Sequence, residues 1–216
     1  MFSAAFPLPE LAAALLPHAL DPQGAADGAH DAGHLLRVWR NVERIQAEEG
    51  GDLRLLLAAT LLHDCVWVDK GSPRRPQASR MAAGKARAVL EGLGWAQDDI
   101  ARVAHAIEAH SFSAGIPPES LEAEILQDAD RLDAIGHIGI ARCLYVAGMR
   151  GGAIHHPDDP AAKNRPLDDA AYALDHFPAK LLGLGERMRT ATGRRMARAR
   201  SATLRAFHDG LLAELG

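Results

Sequence analysis

Apolar residues recur every three or four positions along most of this 216-residue chain, and only an α-helix turns that period into one buried face. In HDAGHLLRVWRNVERIQAEEG (30–50), Leu35, Val38, Trp39, Val42 and Ile45 form a stripe, with Arg40, Glu43 and Glu48 elsewhere on the surface. DLRLLLAATLLHD (52–64) is apolar all round, which places it centrally in a core. ASRMAAGKARAVLEGLG (78–94) reads as a helix stopped by glycines, and QDDIARVAHAIEAHS (97–111) as one opened by acidic residues. PESLEAEILQDADRLDAIGHIGIARCLYVAGM (118–149) reads as two helices or one bent near Gly136 and Gly139. TGRRMARARSATLRAFHDGLLAELG (192–216) closes the chain as an amphipathic helix. No segment alternates as a strand does, β-branched residues are sparse, and Ala and Leu abound. The pattern predicts an all-α bundle.

Three segments read as loops: 21–30, 70–77 and RGGAIHHPDDPAAKNRPLD (150–168), the last long enough to serve as a lid or binding loop. None reads as a domain boundary, because the C-terminal helices need a partner for their stripes. The expectation is one domain over residues 1–216, its core motifs within about 30–145 and its C-terminal helices packed on them. A net charge of −4 gives no basic surplus for a nucleic-acid polymer. No apolar run approaches the roughly 20 residues that span a bilayer. The N-terminus lacks a basic segment and has prolines within its apolar part, so no signal peptide is expected. Cys65 and Cys143 make no disulfide framework; reduced thiols and a cytoplasmic location are expected.

Within LLHDCVWVDK (61–70), an apolar run ends in two adjacent metal-ligand side chains, His63 and Asp64. Taken alone, the pair reads equally as a core histidine and a polar helix end. His34 and Arg37, three apart, share a helix side away from the apolar stripe. Asp128, Asp130 and Asp133 sit in an otherwise apolar helix, where an unpartnered carboxylate is costly. Imidazole and carboxylate together suit a divalent transition ion, and neither cysteine has a thiolate-site spacing.

The order His34, His63-Asp64, Asp130 resembles the H…HD…D signature of the HD-domain metal-dependent phosphohydrolase superfamily. HDAGHLLRVWRN, AATLLHD, EAHSFS and QDADRLDAIGHIGIAR resemble its YedJ/YpgQ-like bacterial branch. The resemblance implies a helical bundle holding one divalent ion at its centre (Mn, Fe, Co, Ni, Zn or Mg), with His34, His63, Asp64 and Asp130 as ligands. It implies a phosphohydrolase whose metal-activated water attacks phosphorus. The substrate would be a small phosphorylated metabolite, a nucleotide first, and nucleoside triphosphate pyrophosphohydrolysis the first reaction to assay. Alternatives are a dinuclear iron oxygenase of the superfamily and a non-catalytic nucleotide-binding module.

The resemblance suggests Asp69 and His110 as helper residues, and position in the chain suggests the others. Asp69 is the carboxylate available as general acid or water-positioning group, and Asp133, one turn after Asp130, is a second positioning candidate. Arg37, Lys70 and Arg75 are candidates for holding phosphate, against the alternative of solvated surface charges. Asp31 is either an N-cap or an orienting partner of His34, and His30 is equally ambiguous. His110 is expected to serve substrate rather than a second ion, because His105, five residues earlier, faces another direction. Asp128 is expected not to be a ligand, since two helical residues turn the side chain by about 200°.

Overall fold

The computed structural model describes residues 3–22, 28–29, 31–68 and 72–216, which are helical throughout apart from turns and loops. The chain divides into two compact units, Met1–Asp130 and Arg131–Gly216.

The first unit holds α1 (Pro9–Ala19), α2 (Ala32–Glu49), α3 (Leu53–Leu62), α4 (Ala78–Gly92) and α5 (Gln97–His110). It also takes in most of α6 (Leu121–Asp133). As its composition requires, α3 is the hub: every residue from Leu55 to Leu62 is buried, against α1, α2, α4 and α5. Asp52 caps it, accepting from the backbone N–H groups of Arg54 (2.9 Å) and Leu55 (3.2 Å). The buried Glu122 of α6 accepts from the Asp52 N–H (3.0 Å) and Arg102 (3.1 Å), fixing where α3 begins. The stripe on α2 is buried as its period predicts. Helix α1 was not anticipated: its prolines sit at the first position and in the last turn, where they interrupt little.

The second unit contains α7 (Gly136–Met149), a π-helical turn (Phe177–Leu181), α8 (Leu182–Leu184) and α9 (Ala191–Leu215), with α7 packed on α9. The glycines do make two helices out of one apolar run. Gly136 has φ +74°, and a Cβ at Gly139 would collide with the Ala134 carbonyl. Among the described residues no β-strand forms, only an isolated bridge between Ala153 and Tyr172.

Residues 150–176 have no helix yet are tightly knit. Asp175 accepts from both terminal nitrogens of Arg165 (2.5 and 2.8 Å) and from the Asp168 N–H (2.7 Å). The same guanidinium lies 4.9 Å from the centre of the Tyr172 ring. Asp159 accepts from the N–H groups of Lys163 and Asn164.

Candidate metal centre

Three helix ends and one helix interior bring the candidate ligands together. Asp31 caps α2, its carboxylate accepting from the His34 N–H (2.9 Å), so the cap fixes the backbone of a candidate ligand. His63 follows the last residue of α3 and still has helical dihedrals, with Asp64 next. His110 is the last residue of α5, and Asp130 lies near the end of α6. The C-terminal ends of α3 and α5 carry partial negative charge, which favours a cation beside them.

The His34 and His63 Nε2 atoms stand 3.2 Å apart. Asp64 Oδ2 is 3.7 Å from each of them, and Asp130 Oδ1 is 3.6 Å from His34 and 3.9 Å from His63. The other oxygen of Asp64 is 3.7 Å from His110 Nε2, whose ring meets that of His63 edge-on at 4.9 Å. Two overlapping groups result: His34, His63 and Asp130; and His63, Asp64 and His110.

Backbone carbonyls decide which nitrogen faces inward. His63 Nδ1 lies 2.7 Å from the Thr60 carbonyl and His110 Nδ1 2.6 Å from that of Ile107. A carbonyl only accepts, so in the neutral rings Nδ1 carries the proton and Nε2 turns a lone pair toward the cluster. Burial alone would raise the Asp130 carboxyl, but the adjoining His34, His110 and His63 outweigh it and hold the group below its ordinary range. Burial, then His63, pushes His110 below the ordinary histidine value.

The imidazole nitrogens and carboxylate oxygens face one another at 3.2–3.9 Å. Atoms lying about 2.0–2.2 Å from a shared ion have this spacing, so the residues present fit a divalent metal.

The comparisons agree with this geometry. The family model of the HD domain matches residues 31–135. YpgQ of Bacillus subtilis (strain 168) is 34% identical over 175 residues, covering 79% of this chain and 77% of YpgQ. This chain belongs to the HD-domain family. A crystal structure of a Lactobacillus plantarum protein superposes with TM-score 0.74 at 33% identity, covering 95% of this chain and 96% of that one. YpgQ crystallised with ADP gives 0.71 at 28%, covering 99% and 97%. An HD-superfamily hydrolase from Bacillus thuringiensis gives 0.70 at 28%, covering 95% and 96%. No helix among the described residues is long and apolar enough to cross a membrane.

Within this HD domain the helper candidates separate. Asp69, Lys70 and His30 lie outside the described residues. Arg37 folds back over Gly33, where its guanidinium and the Asp31 carboxylate adjoin the same α-carbon. Arg75 donates to the Val68 carbonyl (3.2 Å). Asp133 is buried in the second unit and its carboxylate accepts from Arg142 (2.7 Å). Asp128 is fully buried and belongs to neither ligand group. His105 accepts from the Glu119 N–H (2.9 Å), whereas His110 joins the cluster.

Other supports have no place in the sequence reading. Lys85 donates to the Cys65 carbonyl (2.8 Å) and the Cys65 thiol to that of Ala82, which ties the segment after Asp64 to α4. Burial pushes that thiol up to about 11. Asn41 donates to the Ala129 carbonyl (2.9 Å) and Gln127 to that of Ala109 (2.6 Å). Asn41 lies seven positions after His34, on the same side of α2.

Proposed function

We propose that this HD domain is a metal-dependent phosphohydrolase acting on a small phosphorylated metabolite, a nucleotide in the first instance. The observation that carries the reading is the convergence of His34, His63, Asp64 and Asp130, with the His63 lone pair aimed inward. A divalent ion held there supplies Lewis acidity and lowers the pKa of a coordinated water toward neutrality. The four ligands fix its position. Arg37 is assigned to a phosphate oxygen, with Lys70 and Arg75 further along the phosphate chain. Asp69 is assigned to holding water or a proton. His110 is assigned to substrate, but with its Nδ1 committed to Ile107 it donates from Nε2 only when doubly protonated.

The B. subtilis structure with ADP supports a nucleotide as the first substrate class to test. The experiment is a screen of metal-reconstituted protein against nucleoside mono-, di- and triphosphates and sugar phosphates, read by product identity. Release of pyrophosphate or phosphate from one class, abolished by chelator, is the expected result. No turnover with any of the six candidate ions would sink the hydrolase reading in favour of a binding module. The group His63, Asp64 and His110 favours one further reading, a dinuclear site as in the superfamily's iron oxygenases. Metal counting on anaerobically purified protein separates them, two irons per chain supporting the oxygenase.

A further inference from the structure

We infer that two buried carboxamides, Asn41 and Gln127, are positioning residues that set the spacing of the ligand cluster and thereby how tightly a divalent ion is held; this rests on the metal-site reading above. Asn41 lies two turns after His34 on the same side of α2, buried at the edge of the apolar stripe, and its amide donates to the carbonyl of Ala129. The residue after Ala129 is Asp130. Gln127 lies one turn before Asp130, and its amide donates to the carbonyl of Ala109. The residue after Ala109 is His110. The helices carrying His34, Asp130 and His110 are thus tied in series by two hydrogen bonds. Each lands on the peptide immediately before a cluster side chain.

Packing alone does not account for these residues. Asn41 is 3% exposed and Gln127 2%, and burying a carboxamide is costly unless its polar atoms are matched. The Gln127 Oε1 is buried without a hydrogen-bond partner, so the fold tolerates an unmet acceptor where a methionine would leave none. What the amide adds over a methionine is its N–H, and that N–H is spent on the Ala109 carbonyl. α5 ends at His110, so this carbonyl is one of the last four without an intrahelical donor. Without Gln127 the turn of α6 that leads into Asp130 loses its tie to α5, and without Asn41 it loses its tie to α2. Ligand atoms 3.2–3.9 Å apart tolerate little drift before one leaves the ion.

The test uses Asn41→Leu and Gln127→Met, which keep size and remove the donor, with Val42→Ala as a control. Val42 is fully buried on the same stripe, and the control opens a cavity without touching either hydrogen bond. Each full-length protein is stripped with chelator and titrated with Mn2+ alone by calorimetry, and the melting temperature of its metal-free form is recorded. The expected result is Mn2+ binding weakened by about 10–100-fold in both donor-less variants, as for other partners that orient metal ligands. Val42→Ala should melt earlier yet bind Mn2+ like the wild type. Unchanged affinity in both donor-less variants overturns the inference. So does an affinity loss in Val42→Ala matching theirs, because general loosening would then explain all three. If the wild type holds none of the six candidate ions, the metal-site reading fails first and takes this one with it.

Discussion

Asp130 and Asp175 are both held below the ordinary carboxylate range, by opposite means. Asp175 in the second unit has its cation built in: hydrogen bonding from Arg165 is the main cause, and the Asp168 N–H adds a third donor. Asp130 works against its own burial and faces imidazole nitrogens. The first arrangement is a finished ion pair that closes a loop. The second gathers imidazoles and carboxylates from several helices into one ion-sized group. A carboxylate points to a site here when its neighbours are other metal-ligand groups rather than a guanidinium.

Substituting the two aspartates in parallel tests that distinction. Asp130→Asn should lower turnover and Mn2+ affinity by more than about 100-fold, beyond the loss typical of residues that merely orient ligands. Its metal-free melting temperature, recorded alongside, separates the loss of a ligand from a loss of folding. Retained rate and affinity would erase the contrast. Asp175→Asn should do the reverse, melting several degrees earlier because the Arg165 guanidinium loses its counter-charge, with Mn2+ affinity unchanged. A metal-binding defect there would make the loop part of the site.

Ligand linkage sharpens the comparison. Mn2+ at a hundred times its dissociation constant should stabilise the wild type by about 2.7 kcal/mol. Asp175→Asn should gain the same increment and Asp130→Asn almost none, as read from denaturant unfolding with and without the ion. The smallest effect is on acid stability. The folded Asp175 carboxyl titrates below its unfolded value of about 3.9, so its contribution is complete above that pH and disappears as pH falls through the folded value. Between about pH 5 and pH 2, Asp175→Asn should therefore lose stability less steeply than the wild type. Parallel slopes would mean the Arg165 pair contributes nothing to acid stability.

The parts of this molecule legible in its sequence are those encoded by side-chain period and residue type. The stripe on α2, the uniformly apolar α3 and the glycine break before α7 all appear where the pattern puts them. The resemblance to the HD signature picked His34, His63, Asp64 and Asp130 from a wider set of polar candidates, and the fold brings them together. What escaped notice ends on the backbone. Thr60 and Ile107 fix the histidine tautomers through carbonyls that every residue type possesses, so residue identity carries no trace of them. Asn41 and Gln127 likewise act on the carbonyls of alanines. The Arg142 partner of Asp133 sits beyond a helix break, where helical spacing no longer says which side chains meet.

His34, His63, Asp64, His110 and Asp130 are scattered over most of the first unit's length. No short stretch contains enough of them to hold an ion, so chain-closure entropy must be met before the site exists. Contacts this distant in sequence form late and slow the search for the native state. The metal therefore has little to grip in a nascent or partly folded chain and cannot template the structure as it does in a zinc finger. Occupancy would instead report that folding is complete, so slow-release kinetics of the ion would double as a clock for global opening of the bundle.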